Sequence, residues 1–288
     1  MCNCFFYDVC FLRFWVELQR GETSRPMQPR GLQLIRIRPS NEIKQIASDA
    51  PPYFLTTFLL FSMTMPLVPL VAVANGAMKG ITYLHGVNKD EMNFFLVGMG
   101  GPEPFNEWAA DRQAKKLALM TDEEKALAES FCSDVKGESY EPYCKWLSQL
   151  MFNAPCLRLS EEQAKAGGKS YTYYFTVESA EPLKKSCHGI ALAPLFKHPD
   201  LQGDTGREFD ATFSKTMRKM WVQFAKTGNP SLSAAESPDG KAKEWPLYDL
   251  KDKQVMVFDE FNIHQAKESD VKIVDWDRTF FLTKYYGF

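Results

Sequence analysis

The pattern of apolar and polar positions along this chain changes near residue 79. From there onward, short apolar or β-branched runs alternate with stretches in which apolar residues recur every three or four positions. The first kind of run predicts buried strands and the second predicts amphipathic helices. Strands separated by helices are typical of an α/β sheet, so we predict an α/β fold for residues 79–288.

Three strands are predicted, at residues 80–87, 171–177 and 254–258, and the third is expected to be the last. The second is the clearest because it contains only β-branched and aromatic residues. A sheet of this kind is normally buried on both faces and has more than three strands. A turn is predicted at residues 102–106, and helices are predicted at residues 107–118, 121–134, 140–152, 160–166 and 208–226.

Residues 1–78 do not share this pattern and form an atypical N-terminal segment. Residues 1–30 have no clear period, and residues 31–49 contain a short alternating run followed by a predicted helix. Residues 50–78 carry no charged side chain, and the stretch 53–73 is long enough to span a bilayer. Its prolines and hydroxyl residues favour a buried, interrupted segment over a membrane span, and both interpretations stay open.

Composition narrows the function classes. A net charge of −2 offers no basic surface for nucleic acid. Seven cysteines include no C-x-x-C pair, so neither a zinc site nor a redox motif is indicated, and no cofactor is expected. The apolar start of the chain lacks a basic region and is interrupted by Asp8 and Arg13, so it is not a convincing signal peptide. The compartment stays open.

Five stretches carry a resemblance to a known family. In this order and roughly with this spacing, they resemble the C-terminal part of the type-B carboxylesterases, which include cholinesterases and para-nitrobenzyl esterases. The resemblance implies that residues 79–288 are the C-terminal part of an α/β-hydrolase domain that hydrolyses carboxylic esters. Residues 32–46 resemble, more weakly, the helix that follows the nucleophile in that family. The five stretches are G-V-N-K-D-E-M-N-F-F (86–95), Y-T-Y-Y-F (171–175), C-H-G-I-A-L-A-P-L-F (187–196), M-W-V-Q-F-A-K-T-G-N-P-S (220–231) and W-P-L-Y-D (245–249).

The resemblance assigns two catalytic residues. Glu91 matches the acid and His188 matches the base of a Ser-His-Glu triad. Without the motif, Glu91 would be interpreted as a solvated loop acid and His188 as a structural loop histidine. The remaining histidines, at positions 85, 198 and 264, have no partner signal and are expected to be structural or exposed.

The nucleophile of that triad is missing from the sequence. The family places it in G-x-S-x-G, but the only glycines four apart are Gly76 and Gly80, with Met78 between them. A thioether cannot attack an ester. The H-G-G type of oxyanion loop is also missing, because Gly100-Gly101 lacks the preceding histidine and follows the acid. Cys187 is a disfavoured substitute because it adjoins His188, and neighbouring side chains on a loop rarely face each other. Ser62 and Ser139 are disfavoured because neither has the flanking glycines.

The sequence therefore predicts a carboxylesterase-type hydrolase that is inactive alone. A small-molecule ester would be its substrate only if a missing half completed the site. The alternative is a cholinesterase-like binding or adhesion protein without catalysis. The strand at residues 81–87 would normally pair with a strand that this chain lacks, so its edge should be bare or covered by residues 1–75. We therefore expect low stability or self-association.

Overall fold

The computed structural model describes residues 69–271, apart from residues 119, 134, 136 and 198–204. The predicted helix within residues 31–49 and most of the uncharged stretch 50–78 lie outside the described residues. The described end of that stretch forms a helix of six residues, Pro69–Ala74. Among the described residues, no helix is both long enough and apolar enough to cross a bilayer.

Four strands form one sheet in the described part of the chain. In spatial order they are β1 (Thr82–Asn88), β2 (Lys169–Phe175), β3 (Gln254–Asp259) and β4 (Asn262–Lys267). The first three are parallel, and β4 returns antiparallel to β3. The predicted α/β sheet is confirmed, and the carboxyl ends of β1, β2 and β3 lie at the same edge of it.

One short helix precedes β1, and the other helices lie in the connections between the parallel strands. Those of the described part are α1 (Pro69–Ala74), α2 (Asn93–Gly98), α3 (Pro102–Leu117), α4 (Asp122–Ser133), α5 (Glu141–Ser148), α6 (Ala154–Lys165), α7 (Leu192–Phe196) and α8 (Ala211–Thr227), with a π-helix at Gln149–Asn153. The predicted capping box of α4 is present, because Thr121 and Glu124 each accept the other's backbone N–H with a side-chain oxygen. The predicted glycine stop of α8 is present at Gly228, which has φ +75°.

The core lies on both faces of the sheet. β2 and β3 are buried on both sides, which explains their nearly continuous apolar sequences. On one face, the predicted apolar side of α8 places Trp221 against Trp245 and Phe258, with ring centroids 5.3 to 5.5 Å apart. On the other face, Leu157 of α6 packs in a cluster with Tyr174.

The prediction of a turn at residues 102–106 is wrong, because α3 begins at Pro102. Pro102 and Pro104 both fall in its first turn, where a helix leaves its backbone N–H groups without intrahelical acceptors. A proline at such a position removes no helical hydrogen bond. The P-x-P sequence therefore starts this helix instead of preceding it.

The helices predicted separately at residues 140–152 and 160–166 form one continuous run. α5 passes into the π-helix Gln149–Asn153 and then directly into α6. Pro155 stands near the start of α6 and looks like a break in the sequence. The π-helix has already interrupted the regular i to i−4 hydrogen bonds at this point, so the missing N–H is tolerated.

The prediction that residues 254–258 form the last strand is also wrong, because β4 follows after a two-residue turn. β4 is mostly exposed, and only Ile263 and Ala266 are partly buried. Those two residues are three positions apart, so the strand shows no alternation of apolar and polar residues. This strand forms because it pairs with β3, and such a tertiary contact cannot be seen in the local sequence.

Candidate active site

Glu91 lies in the turn that follows the carboxyl end of β1. It is buried, with 3% of its surface exposed, and each carboxylate oxygen has its own partner. Oε1 accepts a hydrogen bond of 2.6 Å from the backbone N–H of Asn88. Oε2 lies 2.6 Å from Nδ1 of His188. The carboxylate is therefore fixed by its own strand and presents one oxygen to the imidazole.

His188 lies in the loop that follows β2, 97 residues beyond Glu91. Because β1 and β2 are parallel neighbours, the loops after them meet at one edge of the sheet. The backbone N–H of Asp90 donates to the Ser186 carbonyl at 2.9 Å, and that of Ser186 donates to the Asp90 carboxylate at 3.3 Å. The N–H of His188 donates to the Glu91 carbonyl at 3.3 Å. These bonds hold the two predicted site residues together.

The contact with Glu91 fixes the tautomer of His188. A carboxylate can only accept hydrogen bonds, so Nδ1 of the imidazole carries the proton and Nε2 is the basic nitrogen. In this form, Nε2 can take a proton from a hydroxyl group, and the buried carboxylate stabilises the imidazolium that results. The arrangement is chemically suited to general acid–base catalysis.

Three phenylalanine rings surround the imidazole of His188. Their centroids lie 5.2 Å (Phe152), 6.0 Å (Phe95) and 6.1 Å (Phe94) from the centroid of the imidazole. Phe152 belongs to the π-helix, whereas the other two belong to α2. Phe94 is 39% exposed, so this aromatic wall reaches the surface of the described residues. Apolar walls lower the local dielectric and strengthen the attraction between carboxylate and imidazolium.

Burial shifts the ionisation of the groups beside the pair. It raises the pKa of the Asp90 carboxyl, and the positive charge of Lys89 partly opposes that effect. Burial, followed by the nearby Glu91 carboxylate, raises the pKa of the Cys187 thiol to about 12. The thiolate is the nucleophilic form of cysteine. Cys187 is therefore protonated at neutral pH and is not an activated nucleophile.

The other serine and glycine candidates lie apart from this pair or outside the described residues. Ser139 is exposed and accepts a hydrogen bond of 2.8 Å from Asn106 of α3. Met78, between the two spaced glycines, is buried in the turn before β1. Ser62 lies outside the described residues. Among the residues that the structure does describe, no group of three or more His, Cys, Asp and Glu side chains is arranged to hold a metal ion.

The remaining histidines have different environments. Nε2 of His85 lies 2.6 Å from the Ser160 hydroxyl of α6, and burial lowers the pKa of this imidazole to about 3. This histidine is structural, as predicted. His264 is exposed on β4, which also agrees with the prediction. His198 lies outside the described residues.

Three residues of the site carry little signal in the sequence. Asn88 ends β1 and bonds both to the acid and to the loop of the base. Phe152 and Asn153 reach the site from the π-helix, whose presence the sequence does not reveal. For Asn88, a polar residue directly after a buried apolar run is a usable signal, because ligands and catalytic groups gather at the carboxyl ends of parallel strands.

This chain is similar to known carboxylesterases over part of their length. The carboxylesterase family model matches residues 32–273. The liver carboxylesterase of Sus scrofa is 24% identical over 216 residues, which are 69% of this chain and 36% of that protein. Carboxylesterase 1D of Rattus norvegicus is 25% identical over 249 residues, which are 75% of this chain and 42% of that protein. The chain thus spans about two fifths of the length of these relatives.

Solved structures show the same partial match. The carboxylesterase EST55 of Geobacillus stearothermophilus superposes with a TM-score of 0.54 at 24% identity, covering 72% of this chain and 42% of that one. A thermophilic PNB esterase gives a TM-score of 0.54 at 24% identity, covering 72% and 40%. At this identity, the likeness establishes the fold alone, and that fold is a part of the α/β-hydrolase fold.

Proposed function

Because this chain belongs to the carboxylesterase family, we propose that Glu91 and His188 are the acid and the base of a serine ester hydrolase. The observation that supports these roles is the 2.6 Å contact between Glu91 Oε2 and His188 Nδ1. Both groups stand at the edge of the sheet where catalytic residues of α/β folds gather. The order of acid before base along the chain is that of the α/β-hydrolase triad.

In this proposal, His188 moves the protons of an acyl-transfer reaction. Its Nε2 takes the proton of a serine hydroxyl as the oxygen attacks the ester carbonyl, and then gives it to the leaving alcohol. The acyl-serine is hydrolysed in the same way, with water in place of the serine hydroxyl. Glu91 holds the imidazole in the required tautomer and stabilises its charged form.

We further propose that the nucleophile and the oxyanion hole are not among these 288 residues. The sequence has no G-x-S-x-G, and a methionine stands between its only glycines four apart. Loss of one oxyanion donor lowers kcat by roughly 10²–10³, and loss of the serine by about 10⁶. The chain alone should therefore hydrolyse esters poorly or not at all.

A completed site would take an ester with an apolar group beside the imidazole. The aromatic wall formed by Phe94, Phe95 and Phe152 offers stacking and apolar contact but no charged partner of its own. Aromatic side chains of this kind bind apolar groups with edge or face contacts. The substrate class proposed is therefore a small apolar carboxylic ester.

The competing function is non-catalytic binding, as in a cholinesterase-like adhesion protein. The missing nucleophile motif favours it, whereas the buried and hydrogen-bonded Glu91–His188 pair favours descent from a working hydrolase. Both alternatives predict no turnover by the chain alone. They differ once an active serine is supplied, since only the first then requires His188.

Two assays on the full chain test the missing nucleophile. A fluorophosphonate probe labels activated serines covalently, and a nitrophenyl acetate assay measures turnover. We expect neither labelling nor turnover above that of His188→Ala. Labelling that His188→Ala abolishes would show that a serine of this chain is activated, and the proposal of an incomplete site would then be wrong.

We also propose that the chain self-associates. Within the described part of the sheet, β1 pairs on one side only, with β2. The strand edge of β1 that faces away from β2 is therefore a candidate surface for pairing with a second copy of the chain. Light scattering after gel filtration, measured at several concentrations, should give masses above that of one chain. A constant monomer mass would contradict this proposal.

A further inference from the structure

One residue, Asn88, contacts both halves of the acid–base pair. Its backbone N–H donates to Glu91 Oε1 at 2.6 Å. Its side-chain Nδ2 donates to the carbonyl oxygen of Cys187 at 3.0 Å, and Cys187 directly precedes His188. Because the acid and the base stand in different loops, a residue bonded to both loops fixes the distance between them.

Asn88 is itself held from the helical side. The side-chain amide of Asn153, the last residue of the π-helix, lies 3.5 Å from the Asn88 carbonyl oxygen. The same turn places the Phe152 ring 5.2 Å from the His188 ring, between centroids. π-helices are rare and occur often at functional sites. One irregular turn thus contacts both the imidazole and the residue that connects the two loops.

Stability alone does not explain these asparagines. Asn88 is 6% exposed and Asn153 is fully buried. Among the described residues, neither Oδ1 atom has a hydrogen-bond donor within reach. A buried polar atom without a partner destabilises the fold, because it loses its hydrogen bonds to water on folding. Positions that keep a buried polar residue where an apolar residue would be more stable are typical of functional sites.

We propose that Asn88 is a positioning residue, which sets the Glu91–His188 hydrogen bond by tying the loop of the base to the strand that carries the acid. It acts through the pair and touches no reacting atom, and the proposal rests on the proposed roles of Glu91 and His188. Replacing its side chain leaves the backbone bond to Glu91 and removes only the link to Cys187. The histidine loop then gains freedom, and the proton on Nδ1 of His188 exchanges faster with water.

The test uses the full chain, labelled with ¹⁵N, and follows the His188 Nδ1 proton by NMR. Glu91→Gln assigns the resonance, because it removes the carboxylate that holds this proton. Asn88→Leu has a similar volume without a donor, and exchange should become about tenfold faster, as expected for loss of one buried hydrogen bond. Asn88→Ser retains a short donor and should give an intermediate rate. It also provides a second variant if Asn88→Leu does not fold.

Gln163→Leu is the matched control. Gln163 is also a buried amide, which donates to the carbonyls of Met78 and Ile81 and has an unpaired oxygen among the described residues. It lies near the far end of α6, so its loss should destabilise the fold without changing the Nδ1 resonance. Equal acceleration in this control would show general loosening and overturn the proposal.

The remaining outcomes separate the two proposals. Unchanged exchange in both Asn88 variants would reject the positioning role and leave the acid–base pair intact. A parent protein in which Glu91→Gln removes no Nδ1 resonance would instead reject the pair itself, and the positioning role with it.

Discussion

The partly buried histidine His85 should make the free energy of unfolding of this protein fall below neutral pH. Its Nε2 lies 2.6 Å from the Ser160 hydroxyl, and its Nδ1 lies 3.2 Å from the Cys156 sulfur. Neither neighbour carries a negative charge to stabilise an imidazolium. Burial therefore lowers the pKa of His85 from 6.5 to about 3 in the folded protein.

The direction of this change of stability with pH follows from which state, folded or unfolded, binds the proton. Between pH 6.5 and pH 3, the unfolded chain protonates this imidazole and the folded chain does not, so stability falls as pH falls. At pH 5, which is 1.5 units below the unfolded pKa of 6.5, protonation stabilises the unfolded chain relative to the folded chain by about 2 kcal/mol. His85 retains partial exposure, which weakens the effect of burial, so a loss of about 1–2 kcal/mol in the free energy of unfolding is expected.

The assay compares urea unfolding at pH 7 and pH 5 for the parent and His85→Gln. Glutamine can still contact Ser160 but does not titrate. From pH 7 to pH 5, the free energy of unfolding of the parent should fall by about 1–2 kcal/mol more than that of the variant. This corresponds to a difference of roughly 0.5 M in the urea midpoint. His264→Gln controls for loss of an exposed histidine. Equal pH dependence in the parent and His85→Gln would refute the reasoning.

Three further predictions concern stability, each measured as a urea midpoint. Gly86→Ala should destabilise by about 1–3 kcal/mol, because a Cβ there would lie 2.3 Å from the Tyr173 ring and 2.4 Å from its carbonyl oxygen; an unchanged midpoint would mean that β1 can shift away from β2. Thr121→Ala removes one half of the capping box with Glu124 and should cost about 1 kcal/mol, whereas no loss would show that α4 contributes little to global unfolding. Asp90→Asn should not destabilise the protein at pH 7. Burial raises the pKa of this carboxyl, so its ionisation opposes folding at any pH above its pKa in the unfolded chain. The amide oxygen of asparagine can still accept the backbone N–H of Ser186. A clear loss of stability in Asp90→Asn would show that the charge itself supports the histidine loop.

The sheet was predictable because its signals are local. β2 and β3 are buried on both faces, and such strands have dense apolar sequences that no helix period explains. β4 was not predictable, since its exposed residues gain their order only from pairing with β3. The prediction of a turn at the start of α3 is wrong because P-x-P is typical both of a turn and of a first helical turn.

The residues of the candidate site also fall into those that the sequence indicates and those that only the tertiary structure reveals. Glu91 and His188 could be named from motifs that follow predicted strands, whereas their contact required knowing that those strands are parallel neighbours. Phe152 and Asn153 depend on a π-helix, which has no sequence signature of its own. The resemblance to the family therefore identifies the residues after the strands, and only tertiary structure identifies the residues that surround them.

The origin of the acid–base contact limits what it implies about activity. Among the described residues, the backbone hydrogen bonds that hold Glu91 against His188 come from the end of β1 and from the loops after β1 and β2. We therefore expect the pair to form wherever these two strands and their loops are folded. The contact accordingly reports that this part of the sheet is folded. Activity also requires a hydroxyl group within reach of Nε2, and fluorophosphonate labelling of a serine detects such a group.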